Sequence, residues 1–549
     1  MTGSGPGRAS ARPAASGEDP AAAASLDGRG LDAATVAGVA DGAPPPVVHP
    51  AALEAMERSR QAACALAAQG GRVYGRSTGV GAHRGAAVEE RDGYGHDLRL
   101  LLSHAGGIGE LLPVRQVRAM MLVRAGQLLA GGSGLRPEIA TALLGALRAG
   151  VHPPVHEYGS VGTGDLTALA ELGLALFGHA PWESDATAAE EPEPLRIQRG
   201  DALALLSSNA LTLGQSALAC HDLGALLRSA HVVTALSLYA VDGSLEAYAP
   251  EVHRAHPHPA TVRAAADVRQ LLGVTVRSAP DQSAPDQSTP VEPARGESIR
   301  SVGDLPSSPV RQLPSSRGPR VQDPYGFRCF PQVHGPAMEA WANLERVLFV
   351  DLNSATENPL IGWDESTGTP VAHHHGGFFA TPLTLALDHL CLAVLGTARL
   401  SAARLSALGR PELTGLRSYL ADEASAGSGM MILEYGAAAA TAEIQTYATP
   451  AALAHVVLSQ GVEEAASFAT QAARKTLRLT DAYRQVLACE LVAAVRALRR
   501  RGTAPPPGTP AGRAYTRAAE VLNPAMADRP LTGDVTTAAA LLTEFTQLT

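Results

Sequence analysis

Gly159-Ser-Val-Gly-Thr-Gly-Asp-Leu166 is the stretch from which the rest of this chain is best read. Glycine recurs through it at Gly159, Gly162 and Gly164. Glycine adopts positive φ at little cost and lets backbones approach closely, so the stretch predicts a tight, pliable loop. Upstream, Gly150 to Val155 and Arg72 to Tyr74 predict short extended pieces, because glycine and proline punctuate both regions.

Around the loop the pattern is helical. Apolar residues recur at three- and four-residue spacing over Ala51 to Gln69, Val114 to Ala130, Pro137 to Ala149 and Asp201 to Leu238. The same spacing runs through Gln332 to Phe349, Pro382 to Leu408, Ala437 to Ala448 and Val462 to Ala497. Leu203, Leu206, Ala210, Leu213 and Ala217 share one face, which predicts an unbroken helix of about 50 Å. No strand-helix alternation is present, so a doubly wound sheet is excluded. The expected fold is mainly α: a long central helix bundle with a smaller, loop-rich N-terminal region.

The 549 residues divide, on this reading, into a disordered extension over 1–25, a site-loop region over 26–200 and a helical bundle over 201–549. A Pro/Ser-rich insertion at about 278–320 interrupts the bundle and contains the tandem Ser278-Ala-Pro-Asp-Gln and Ser283-Ala-Pro-Asp-Gln. Hydrophobic residues make up 46% and aromatics only 4%, which implies a core of Ala, Leu and Val. A net charge of −9 offers no basic footprint, so nucleic acid is not an expected partner. Charges interrupt the apolar runs, Leu203 to Val241 included, and no membrane partner is expected. Five scattered cysteines without a Cys-x-x-Cys pair argue against disulfides and structural zinc, and the N-terminus lacks a signal-peptide pattern. The expected location is cytoplasmic. Lys475 is the only lysine and lies in an ordinary helical pattern, which argues against a pyridoxal-phosphate Schiff base.

Four further segments carry chemistry. Val73-Tyr-Gly-Arg-Ser-Thr-Gly-Val-Gly81 sets Tyr74 in a glycine-rich loop, and Leu102-Ser-His-Ala-Gly-Gly-Ile-Gly109 carries Ser103 and His104 at a helix end. Val321-Gln-Asp-Pro-Tyr-Gly-Phe-Arg328 is followed by Cys329-Phe-Pro-Gln-Val-His-Gly335, and Ser459-Gln-Gly-Val-Glu-Glu-Ala-Ala-Ser467 adds an acidic pair. Together with the opening loop, these resemble the histidine and aromatic amino-acid ammonia-lyases. There, Gly-Ser-Val-Gly precedes an Ala-Ser-Gly tripeptide that cyclises to a methylidene-imidazolone electrophile, and Tyr-Gly-x-x-Thr-Gly-Phe-Gly carries the base.

The resemblance implies an ammonia-lyase-like homotetramer whose sites are assembled from several subunits, acting on a small amino-acid-like substrate. It implies that Tyr74 removes the β-proton. An ordinary tyrosine pKa of about 10 means that role needs nearby positive charge or donors, and Arg328 is the expected source. Arg328 is also implied to pair with the substrate carboxylate, with Gln322 and Tyr325 lining the site. Ser103 and His104 match the histidine-type side-chain pocket, Glu463 takes the acidic position beside them, and Phe378 is an expected wall. His373-His-His375 carries no metal on this reading, because consecutive side chains diverge and no Asp or Cys completes a set.

Two departures concern the electrophile. Gly162-Thr163-Gly164 replaces Gly-Ala-Ser-Gly with one residue fewer, and Ser207 takes the position of the family's asparagine, with Asn209 two residues on. On the helix expected there, two residues place Asn209 about 200° away, nearly on the opposite face, so that it cannot simply substitute. Attack of the Asp165 amide nitrogen on the Gly162 carbonyl is expected to close the five-membered ring, and dehydration of Thr163 would leave a hindered ethylidene. The expectation is therefore that no cofactor is bound and that a self-derived electrophile is absent. Three functions stay open: elimination of ammonia from histidine or a related imidazole-bearing or aromatic amino acid; an electrophile-independent reaction on a substrate with a better leaving group; and a non-catalytic binding homologue.

Overall fold

The computed structural model describes residues 25–88, 95–184, 191–274, 320–422 and 426–548. The proposed extension over 1–25 and insertion over 278–320 lie, apart from Ser25 and Arg320, outside these residues. The described helices begin with α1 (Ala33–Ala40), α2 (Pro50–Ala68), α3 (His96–His104), α4 (Val114–Leu129), α5 (Pro137–Ala149) and α6 (Leu166–Leu176). They continue as α7 (Asp201–Leu206), α8 (Ala210–Ala240), α9 (Pro250–Ala255), α10 (Pro259–Leu271), α11 (Tyr325–Arg328) and α12 (Phe330–Leu352). The last group is α13 (Thr381–Leu408), α14 (Pro411–Thr414), α15 (Met431–Tyr447), α16 (Ala469–Arg501), α17 (Pro510–Val521) and α18 (Thr532–Glu544).

Local chemistry sets several of these ends. Asp32 accepts the Thr35 N–H at the start of α1, Pro50 and Pro137 open α2 and α5, and Gly150 closes α5 at φ 73°. Four two-stranded ribbons complete the N-terminal and middle regions: Ser25–Leu26 with Val47–Val48 in parallel, and three antiparallel pairs. The antiparallel pairs are Ile108–Leu111 with His156–Tyr158, Val151–His152 with Glu183–Ser184, and Leu360–Trp363 with Pro370–His373. The piece expected at Gly150 to Val155 is thus a strand in part, whereas Arg72 to Tyr74 leads into a turn instead, closed by Arg76 and Ser77 N–H donating to the Val73 carbonyl.

Helix α8 packs against α16, α4 and α12 and is buried on nearly every face. Asp201–Ala240 and Thr381–Leu408 each contain a stretch long and apolar enough to cross a membrane, which corrects the expectation that charges break every such run. Those stretches are 89% and 61% buried within the protein, as interior bundle helices must be.

The continuous helix expected over Asp201 to Leu238 is broken at Ser207, Ser208 and Asn209. A tertiary contact makes the break. The buried Arg124 guanidinium takes the terminal carbonyls of α7, donating to Leu205 O at 3.1 Å and to Ala204 O, and pairs with the buried Glu357 at 2.8 Å. The pattern expected over Val462 to Ala497 is likewise helical only from Ala469, because Phe468 stands at φ 55° and ends the preceding loop.

Candidate active site

A cavity of about 1060 Å³ opens where the Tyr74 loop, the end of α3, the Gly159–Leu166 loop, the α7/α8 break and the 459–465 loop meet. Of the expected site residues, Tyr74, His104, Thr163, Gly164, Ser207, Phe378 and Glu463 line it. The Tyr74 hydroxyl accepts the Gly81 N–H at 2.8 Å, and His374 Nε2 faces the Tyr74 N–H at 3.4 Å. His104 Nδ1 lies 2.8 Å from the Leu100 carbonyl, which can only accept. The ring proton therefore sits on Nδ1, and Nε2 is left as an acceptor.

Ser103 does not line the cavity: its hydroxyl donates to Leu100 O at 3.0 Å and lies 3.1 Å from His104 Nδ1, so it bears on the site only through His104. Its place in a helix turn leaves it facing back along α3. Glu463 is carried by a short loop whose Leu458 and Glu463 backbones pair, with Ser459 and Gln460 at φ 54° and 56°. Non-glycine residues at positive φ store strain and persist only where their surroundings hold them. Here Ser459 Oγ accepts the Ala82 N–H at 3.1 Å and ties this loop to the one carrying Tyr74.

The Gly159–Leu166 loop is anchored from two sides. From the start of α16, Phe468 N–H donates to Val161 O at 2.8 Å, Ser467 Oγ to Gly162 O at 2.7 Å and Gln471 Nε2 to Ser160 O at 2.8 Å. From the start of α8, the wholly buried Asp165 carboxylate accepts from Thr212 N–H and Oγ1 at 2.8 and 2.9 Å. Burial pushes the Asp165 carboxyl above the usual range, against those hydrogen bonds. Gly162 lies buried beneath the cavity floor, with Thr163 and Gly164 at its surface.

This geometry tests whether the tripeptide-derived group of the ammonia-lyases fits. A five-membered ring joins the Gly164 nitrogen to the Gly162 carbonyl carbon. The Asp165 nitrogen, one residue further, would close a larger ring and is donated to Ser208 O at 2.7 Å. Between the Val161 and Asp165 anchors there is one residue fewer than that tripeptide and its preceding glycine need. A Cβ at Gly162 would come within 2.3 Å of Ser467 Oγ and 2.7 Å of Ala469 N, so alanine has no room there. Ser207 Oγ is engaged in accepting the Asn358 N–H at 2.9 Å. The residues present do not fit that group as the family builds it.

The break in the helix also overturns the argument that two residues of helix turn Asn209 to the opposite face. Asn209 Nδ2 donates to Phe378 O at 2.6 Å, and its buried Oδ1 has no partner among the described residues. Asn209 thus braces the wall that Phe378 and its neighbour Phe379 present to the cavity.

Gln322, Tyr325 and Arg328 do not line the cavity. They sit on and before α11, which is clamped to the bundle: Arg404 Nη1 donates to Gly326 O at 3.0 Å and the Tyr248 hydroxyl to Phe327 O at 2.6 Å. Gln322 is exposed, Tyr325 is 66% exposed, and the Arg328 guanidinium stacks 4.3 Å over the Tyr325 ring. Within one chain, Arg328 is therefore not the positive group of the Tyr74 cavity. Arg72, His83 and Arg84 line it instead, with His374, Asn358 and Ser459. The arginines flank the glycine-rich loop and His374 belongs to the triple histidine, so both signals were visible in sequence. What was missing was their direction: His375 turns away, with Nε2 2.8 Å from Glu357 O.

Residues 31–520 match the family model for aromatic amino acid lyases. The chain is 34% identical over 492 residues to histidine ammonia-lyase of Gloeobacter violaceus, covering 88% of each chain. Among solved structures it is similar to tyrosine aminomutase from Streptomyces globisporus, with TM-score 0.80, 26% identity and coverage of 95% and 98%. It shares the fold of ergothionase from Treponema denticola, with TM-score 0.77, 24% identity and coverage of 95% and 99%. The chain belongs to the aromatic amino acid lyase family.

Proposed function

We propose that this protein is a carbon–nitrogen lyase that eliminates ammonia from histidine or a closely related imidazole-bearing amino acid, giving an α,β-unsaturated acid, and that it does so without a backbone-derived electrophile. The observation that carries the reading is the meeting of Tyr74, His104 and Glu463 in one cavity. The Tyr74 oxygen takes the β-proton. The C–H electron pair becomes the Cα–Cβ double bond, and the amine departs with the C–N pair. A β-proton beside an ordinary carbon is weakly acidic, so some sink must hold the developing charge. An imidazolium kept positive by Glu463 supplies that sink, while His104 Nε2 accepts from the ring N–H.

Arg328, with Gln322 and Tyr325, holds the carboxylate from a second copy in a cytoplasmic homotetramer. The exposure of Tyr325 and the exposed apolar positions Ile432 and Tyr435 of α15 support this assembly. With histidine as substrate, ammonium and urocanate are expected in equal amounts, and no ammonia release across a full amino-acid panel would sink the reading. Intact mass tests the electrophile separately: the expected chain is unmodified, and a deficit of two waters on the peptide spanning Gly159–Leu166 would overturn that part.

The shortened loop favours a second reading, in which the substrate carries a quaternary ammonium that leaves without activation. Phe378, Phe379 and Tyr74 supply aromatic faces for such a cation. It predicts release of a tertiary amine in place of ammonia, again abolished by Tyr74→Phe and little changed by Thr163→Ala.

A further inference from the structure

Behind the Tyr74 loop lies a second cavity of about 450 Å³ that the lyase reaction does not use. Val73, Arg76 and Ser77 face it while Tyr74 and Thr78 face the first cavity, so the two share the loop as a wall. Four arginines, Arg60, Arg76, Arg136 and Arg199, and one carboxylate, Asp201, line it. Arg60 is held by Glu57 at 2.8 Å and Arg136 by Asp201 at 3.1 Å.

Arg76 is different. Among the described residues its guanidinium pairs with no carboxylate, and its hydrogen bond is to Ser133 O at 2.9 Å from Nη2. Burial pulls its pKa down from the ordinary arginine value, with Asp97 and Asp201 opposing from further off. The slot is shaped to the side chain: a Cβ at Gly134 would lie 2.8 Å from Nη2 and one at Gly200 2.3 Å from Nη1, and both glycines stand at positive φ. A guanidinium has five donors and no acceptor, and a largely buried cation whose donors meet a backbone carbonyl and no directly paired carboxylate is costly. Leu66, Ala67 and Ile361 add apolar surface to the lining.

We propose that this cavity is a binding site for a small anion, a carboxylate or phosphate whose oxygens are taken by Arg76 and its neighbouring guanidiniums. A planar fork suits either group. An occupant bears on the Tyr74 loop from behind, and the loop has little freedom to yield: a Cβ at Gly75 would already lie 2.0 Å from Leu203 Cδ2.

Cys64 lines the same cavity and is exposed, so its alkylation reports occupancy. Full-length protein is treated with iodoacetamide alone, with benzoate or with inorganic phosphate, and the Cys64 peptide is quantified by mass spectrometry. At least one anion is expected to slow Cys64 alkylation fivefold or more, and the one effective at lower concentration identifies the headgroup. Arg76→Met is expected to abolish the protection, while His104→Ala, in the other cavity, keeps it. Absence of protection by both anions in the unsubstituted protein overturns the proposal even if Arg76→Met fails to fold. So does protection that survives Arg76→Met, or that disappears with His104→Ala.

Discussion

Two fully buried arginines do the same job at two places, and comparing them separates the two halves of the proposed site. Arg124, paired with Glu357, collects carbonyls from the end of α7 and creates the break that presents Ser207 to the cavity. Arg404, paired with Glu490 at 2.6 Å, holds the Gly326 carbonyl and so presents Tyr325 outward and fixes the half-buried Arg328 beside it. Ser237 and Ser401 hydroxyls add hydrogen bonds to Glu490 at 2.7 and 2.6 Å. In contrast, one buried oxygen of Glu357 has no partner among the described residues. The clamp facing away from the cavity is the fully satisfied one; the clamp beside the cavity keeps an unsatisfied group, as a working site tolerates and a purely structural one avoids.

The largest test of this division lies in the two halves themselves. Tyr74→Phe and Arg328→Ala should each lower kcat/KM by about 10²–10⁴-fold in assays of the folded protein. Co-assembled chains, one kind carrying each substitution, should regain about a quarter of the unsubstituted activity, because random mixing completes one site in four. No recovery would show that both residues must come from one chain.

Next come the clamps. Glu490→Ala and Glu357→Ala each leave a buried arginine unpaired and should cost about 3–5 kcal/mol in urea unfolding. Their kinetic signatures should differ in whatever protein remains folded. Loss of the Arg404 clamp should raise KM by loosening the carboxylate partner, and loss of the Arg124 clamp should lower kcat about 10–100-fold by moving the cavity floor. Identical effects on both constants would erase the distinction.

The smallest effect is electrostatic and lies near the end of α12. Burial raises the Asp351 carboxyl to about 6 from an ordinary 3.8. The folded state therefore holds this proton more tightly than the unfolded chain, and stability falls as pH rises from about 4 through 6. Asp351→Asn should raise the free energy of unfolding above pH 7 by about 1 kcal/mol, after allowing for residual solvent contact, and leave it unchanged near pH 4 in urea titrations. A gain at low pH instead would contradict the sign.

Legibility in the sequence followed the range of the interaction responsible. Helices such as Val114–Leu129 and Pro137–Ala149 were readable almost to the residue, because apolar spacing and end residues act within a few positions. The break at Ser207–Asn209 was not, because Leu203 to Ala217 keep helical spacing and the interruption is imposed by Arg124, far away in the chain. His104, Glu463 and Tyr74 were found through motifs that carry their own loops, whereas Asn358 and His374 reach the cavity only through the way separate loops meet.

By itself the sequence determined the helical class, the family and the altered Gly162-Thr163-Gly164 loop, since residue identity and spacing are local facts. Tertiary structure alone decided that Gly162 has no room for a side chain, that Asn209 braces Phe378 and that Arg328 stands outside its own chain's cavity. Each of these depends on which atoms from distant segments occupy the same few ångströms, and packing, unlike periodicity, leaves no mark on neighbouring letters.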